Sequence, residues 1–288
     1  MALLRTQADE RLSAILHLNI AVFLFAMPAI ISKFANLSPV SVVVGRGLFA
    51  GLALWSALSF RSTATYSISA RTLRITALLG VLYSIQLWAF FKSVSVSSPA
   101  LAILCFCSYP LFTTFLEPKF FDTQLRTESI VSVILVALGL AIVTADAGFD
   151  GASMDGIAWG TLSGALFAVI SLINKAALRT VSAVELGFLQ NLFILLCSLP
   201  FLLLEMPSLT TTNIAQLLFM GVVCSAFGQT LFVSTFKRVD VQIASIFLSM
   251  EPVYAALLAY VFLGDSPSTA LCIGSILLVG ASICSTRK

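Results

Sequence analysis

The segment 129–143, SIVSVILVALGLAIV, carries no charge and no alternation of polar with apolar residues. A run that is apolar all round leaves no face for water, so it belongs in a buried or lipid environment. Runs of this kind recur along the whole 288-residue chain. In lipid every backbone polar group must be satisfied internally, which leaves only helices or closed barrels. Barrel strands alternate apolar and polar residues, and this chain does not. A soluble domain is about 25% charged; here 10% of residues are charged, 59% are hydrophobic and the mean hydropathy is +1.04. The sequence predicts an all-α integral membrane protein.

A membrane-crossing helix takes about 20 residues. Cutting the chain at charges, Pro/Gly and Asn/Asp/Ser clusters predicts ten, at 12–32, 40–60, 73–93, 98–117, 126–145, 155–175, 183–204, 213–235, 241–263 and 268–285. The loops are short and leave no room for an inserted soluble domain. Arg5 and Arg11 flank the first apolar stretch, but Asp9 and Glu10 do not suit the basic start of a signal peptide. A retained first helix is expected.

Lys and Arg concentrate on the cytoplasmic side of membrane proteins. With the N-terminus inside, Arg5, Arg11, Arg61, Arg71, Arg74, Lys119, Arg126, Lys175, Arg179, Lys237, Arg238, Arg287 and Lys288 fall inside, which is 13 of 16 basic residues. The segment DAGFDGASMD (146–155) holds three acids and no base, as an outer loop should. Both termini are therefore expected in the cytoplasm. Lys33, Arg46 and Lys92 are the exceptions. Lys33 and Lys92 are expected to snorkel outward, while Arg46, two turns into the second helix, reads either as a structural pairing with a carbonyl or as a lure for an anionic group.

The two halves also resemble each other at an offset near 142 residues. LFAMPAIISK (24–33) aligns with LFAVISLINK (166–175), and LLGVLYS (78–84) with FMGVVCS (219–225). CSYPLFTTFL (107–116) aligns with SMEPVYAALL (249–258), prolines superposed, and VALGLAI (136–142) with LLVGASI (277–283). Four matches in one order imply a duplication, with halves 1–146 and 147–288. Five helices per half is an odd number, so the second half enters the membrane from the opposite side. Inverted repeats of this type characterise secondary transporters, whose substrate sites lie near mid-membrane between the repeats.

EPVYAALLAYVFLGDSPSTALCIGSILLVGASI (251–283), with its partner SYPLF (108–112) and the stretch SKFANLSPVSVVVGRGLFAGLAL (32–54), resembles the EamA-type branch of the drug/metabolite transporter superfamily. The resemblance covers essentially the whole chain. AMPAI (26–30) departs from it where many relatives carry Trp-Gly. The resemblance implies ten helices, cytoplasmic termini and export of small metabolites, amino acids prominent among them, with the aromatic-amino-acid exporters nearest.

Within the expected spans, Pro110 and Pro252 fall at equivalent depths. Each removes a backbone hydrogen bond, so paired bends lining a shared cavity are expected. Glu251 at mid-membrane costs about 2.5–3.5 kcal/mol if charged and facing lipid. It must be neutral, paired or turned to water, and it serves as a coupling group, an amine ligand or a structural acceptor. Tyr83 and Gln86 share a helix face, and Ser108, Tyr109, Ser163, Asn191, Ser225, Gln229 and Tyr254 complete a candidate polar lining for a zwitterion. Singly, each reads as an interhelical hydrogen bond worth about 0.6 kcal/mol. Trp88, Trp159, Phe167 and Tyr254 are candidate walls. Gly160 and Gly164, spaced by four with Gly156, allow close helix approach and sliding.

The chemistry otherwise expected is sparse. Six cysteines sit in apolar runs without C-x-x-C spacing, and one histidine, His17, is the only imidazole, so neither a metal nor a cofactor is expected. No phosphate-binding or hydrolase motif occurs, which argues against an enzyme. A net charge of +3 leaves no nucleic-acid footprint. The expected partners are a small-molecule substrate and the bilayer of a bacterial inner membrane. The sequence leaves the oligomeric state open, a monomer sufficing. The function read is export of amino acids by alternating access, with nucleosides or cationic compounds as the alternative cargo.

Overall fold

The computed structural model describes residues 2–60, 69–121, 124–125, 127–147, 151–205, 209–263 and 268–286. Within them the chain is helical, with no strand. The elements are α1 (Ala2–Phe34), α2 (Pro39–Ser59), α3 (Ala70–Val96), α4 (Pro99–Phe106), α5 (Tyr109–Phe121), α6 (Thr127–Ala147), α7 (Gly151–Ala177) and α8 (Ala183–Glu205). They continue with α9 (Thr211–Phe219), a π-helical segment (Met220–Gln229), α10 (Thr230–Thr235), α11 (Val241–Leu248), α12 (Glu251–Leu263) and α13 (Thr269–Thr286).

Local sequence explains several starts. Ser38, Ser69 and Ser98 each take an extended backbone and accept a hydrogen bond from the amide three residues on, with Pro39 and Pro99 in the first turn of their helices. An N-cap serine satisfies an orphan amide, and proline in the first turn has no amide to lose. Thr210 and Asn213 form a reciprocal capping box ahead of α9.

Eight apolar helical stretches among the described residues are long enough to cross a membrane, and two shorter ones, Thr127–Ile142 and Cys272–Cys284, accompany them. The expected fourth and ninth helices are interrupted. The breaks fall at Cys107–Ser108 and Ser249–Met250, so Pro110 and Pro252 lie in the first turns of α5 and α12. The bends expected at the prolines are therefore helix breaks just before them, because a proline sits without cost in a new first turn.

The large interfaces join the first half of the chain to the second. α3 lies along α7 and α8, α2 along α8, and α6 along α13. Small residues permit this closeness, as in other membrane bundles. A Cβ on Gly47 would stand 3.3 Å from the backbone of Leu195, and one on Gly139 3.1 Å from the carbonyl of Gly274. Ser132 donates to the Ala281 carbonyl at 3.0 Å, tying α6 to α13. Gly160 and Gly164 press against the α4–α5 break, with Cβ positions 2.6 Å from Cys105 Cβ and from the Phe106 carbonyl. They place α7 in direct contact with the interrupted helix.

Apolar side chains such as Trp55, Phe60, Leu204 and Ile276 cover the outside. Buried polar residues gather inside instead. An apolar exterior around an interior that holds polar groups within its apolar core fits a chain that crosses the bilayer several times. The side chain of Lys33 lies outside the described residues, and Lys92 is half-buried.

Candidate functional site: a charged cavity between the helices

The interior polar groups surround a cavity of about 60 Å³. Its polar lining is Arg46 from α2, Tyr83 and Gln86 from α3, Gln229 from the π segment and Glu251 at the start of α12. Phe25 and Pro28 from α1, Leu87 and Phe90 from α3, Phe106 from α4 and Phe167 from α7 form the apolar wall. Water needs only about 10–15 Å³ of such space, so the cavity suits a few waters; a larger solute requires the helices to part. The wall is braced by edge-to-face rings, with Phe106 and Phe167 5.2 Å apart and Tyr83 and Phe167 6.1 Å apart.

The hydrogen bonds show which groups are committed and which are free. Arg46 is buried, its Nε donates to Ser225 Oγ at 2.8 Å, and its guanidinium lies 5.6 Å over the Phe91 ring. Among the described residues that is its only hydrogen bond. Gln86 Nε2 donates to Ser163 Oγ at 2.8 Å, leaving Gln86 Oε1 buried with no partner. Glu251 is 2% exposed and its Oε2 also has no partner. Arg46 and Glu251 form no ion pair with each other. A cation with spare donors and two acceptors without donors thus face one enclosed space, and buried polar groups normally find partners.

Of the expected lining residues, Tyr83, Gln86, Gln229 and Glu251 reach the cavity. Ser163 and Ser225 stand one bond behind it, on Gln86 and Arg46. Tyr109 packs behind the wall, 5.1 Å from the Phe167 ring. Ser108 sits at the α4–α5 break against Gly164. Asn191 bonds the Gly187 carbonyl of its own helix at 2.8 Å, and Tyr254 donates to Asn19 on α1 at 2.9 Å; neither lines the cavity. Of the expected walls, Phe167 is in place, whereas Trp88 and Trp159 pack on each other with ring centres 5.0 Å apart. Trp88 lines instead a separate cleft of about 420 Å³ with Val40, Val43, Val81, Ser84, Ile85, Cys197, Ser198 and Phe201, which holds no charged group.

Arg46 is the principal residue that the sequence reading undervalued. It is buried, and its Nε meets Ser225, which lies in the π segment. A π-helix has a wider turn and is rare beyond a single bulge, where it marks functional sites. No sequence signal announced it. Its Gly221 lets the segment press on α2, a Cβ there meeting Phe49 Cβ at 2.5 Å and the Arg46 carbonyl at 3.2 Å.

A multi-pass helical membrane protein with a polar, charged cavity enclosed between its helices is the build of a membrane transporter. The chain belongs to the EamA-like transporter family, whose sequence model matches it twice, at residues 12–145 and 154–287. It is 24% identical over 282 residues, covering 94% of this chain and 88% of the relative, to an uncharacterized transporter, YxxF, of Bacillus subtilis (strain 168). It is 23% identical over 220 residues, covering 73% and 70%, to an uncharacterized transporter of Clostridium kluyveri. A crystal structure of a protein 20% identical superposes with a TM-score of 0.79, covering 96% of this chain and 98% of the other; that likeness speaks for the fold. The chain is a membrane transporter.

Proposed function

We propose that this transporter exports amino acids, aromatic and small neutral ones foremost, across a bacterial inner membrane. The observation that carries the reading is the pairing of Arg46 and Glu251 across one cavity without contact between them. A zwitterion supplies what each lacks. Its carboxylate takes the free donors of Arg46, and its ammonium takes Glu251 and the Gln86 carbonyl. Charge-assisted hydrogen bonds of this kind are the strong ones. Four phenylalanines, Phe25, Phe90, Phe106 and Phe167, line the same space and suit an aromatic or aliphatic side chain. A purely cationic cargo is less well served, because Arg46 repels it.

The architecture we assign is ten spans in two inverted five-helix halves, 1–146 and 147–288. The twofold match of one family model supports the duplication. α6 and α13 serve as the fifth and tenth spans: at 21 and 18 residues they are about 32 and 27 Å long at 1.5 Å per residue. The end of the bundle bearing Lys175, Arg179, Lys237 and Arg238 is the cytoplasmic one, by the Lys/Arg rule. Transport proceeds by rocking of the halves about the cavity, with Tyr83, Gln86, Gln229 and Glu251 in the site and the breaks before Pro110 and Pro252 as pivots. One copy of the chain contains the whole cavity.

The test is flux into liposomes holding the purified protein, with labelled aromatic amino acids, Thr, Met, Glu, Lys, a nucleoside and a cationic dye, each with and without a proton gradient. Saturable flux of the neutral amino acids supports the reading. Flux of the nucleoside or dye alone sinks the cargo assignment while leaving the fold.

A further inference from the structure

A column of polar groups continues from the cavity to the basic end of the bundle. Tyr83 and Gln229 line the cavity. Behind them Asn174 Nδ2 donates to Tyr83 Oη at 3.4 Å, Gln190 Nε2 donates to Asn174 Oδ1, and Gln229 Nε2 donates to Gln190 Oε1 at 3.2 Å. All four are buried. The next residue along α7, Lys175, donates to Glu117 Oε1 at 2.6 Å and Asp240 Oδ1 at 3.0 Å. Glu117 is fully buried and also accepts from the amides of Val241 at 3.1 Å and Gln242 at 2.8 Å, in the first turn of α11.

Both layers are built across the two halves. Tyr83 and Glu117 come from the first, and Asn174, Gln190, Gln229, Lys175 and Asp240 from the second. A seal meant only for stability is made at least as well from apolar side chains, because a buried ion pair rarely repays its desolvation. Polar bonds have a different merit here: water or a charged solute can replace them as the halves separate. In the repeat register Lys33 corresponds to Lys175, but Ala259 corresponds to Glu117, so the Glu117 carboxylate has no sequence counterpart in the second half.

We propose that this column is the route by which solute enters the cavity from the basic end, and that Glu117 is its gate residue. The Glu117–Lys175–Asp240 tie and the amide layer above it hold that end closed in this conformation. The proposal rests on the transporter reading above, but it does not depend on which solute is carried.

The test reads access rather than transport. In protein with Cys105, Cys107, Cys197, Cys224, Cys272 and Cys284 replaced by Ala, Ser171→Cys places one thiol on α7 between Phe167 and Lys175, where Ser171 is buried. A membrane-impermeant maleimide is applied to vesicles of either orientation. Glu117→Gln is expected to raise labelling from the basic end roughly tenfold, the worth of one charge-assisted hydrogen bond, with no rise from the other end. Glu117→Asp, which keeps the charge, is expected to label nearly as slowly as the parent. An unchanged rate in Glu117→Gln, or an equal rise from both ends, overturns the gate. Should Glu117→Gln fail to fold, Asp240→Asn carries the test, since that carboxylate is half-exposed and forms only the outer arm of the tie. A rise of about threefold is then expected for loss of the weaker arm, and no rise overturns the proposal. One-ended labelling without amino-acid flux upholds the gate and removes the cargo; flux with unchanged labelling does the reverse.

Discussion

Arg46 and Glu251 line one cavity yet do not bind each other: Arg46 Nε donates to Ser225 Oγ at 2.8 Å, and Glu251 Oε2 has no hydrogen-bond partner. A buried arginine and a buried carboxyl group held apart each lack the partner that direct contact would supply. A solute bearing both charges bridges them.

Arg46→Ala is expected to raise the half-saturation concentration for neutral amino acids about 10–100-fold, the equivalent of one charged hydrogen bond at 1.5–3 kcal/mol. Arg46→Lys keeps the charge but not the planar fork that spans Ser225 and a carboxylate, so an intermediate value is expected. Concentration-dependent flux in liposomes measures both. Wild-type affinity in Arg46→Ala would remove the arginine from the site.

Glu251→Gln keeps the shape and removes the ionisable group. Binding of an aromatic amino acid is expected to weaken by about tenfold or more, while binding of its analogue without the amino group stays unchanged. Calorimetric titration of the two ligands checks this. Equal loss for both would make Glu251 a structural acceptor.

Gly80 and Gly51 should respond oppositely to alanine. A Cβ on Gly80 would collide with Phe193 Cβ, whereas one on Gly51 meets nothing within 4 Å. Gly80→Ala is expected to cost about 1–3 kcal/mol by overpacking. Gly51→Ala is expected to be neutral or to gain up to about 1 kcal/mol from helix propensity. Thermal melts in detergent separate them.

Pro110→Ala and Pro252→Ala are expected to shift stability by less than about 1 kcal/mol, through chain entropy in the unfolded state. Both prolines already sit in first turns, where no amide bond is missing. A large stabilisation in either would mean that the proline itself imposes the break.

The polar lining was half legible in the sequence. Gln86 and Glu251 announce themselves because an uncompensated polar group in an apolar run must face something other than lipid. Asn191 and Tyr254 announce themselves equally, yet bond Gly187 and Asn19. A polar residue's type says only that it needs a partner, and a partner in its own helix or on a neighbouring one serves as well as a cavity. Glu117 was hidden for the opposite reason. It reads as the charged end of a helix until α11 brings the amides of Val241 and Gln242 onto it.

By itself the sequence determined that this protein lives in lipid, is helical, and carries a family signature repeated in each half, because unbroken apolar runs and repeated motifs are properties of the chain alone. Only the tertiary structure decided which buried groups face one another. The bond from Arg46 to Ser225 on the π segment and the tie from Glu117 to Lys175 join residues 179 and 58 positions apart. Those contacts depend on how helices rotate and approach when small residues let their backbones touch, and that choice is made by packing across the whole bundle.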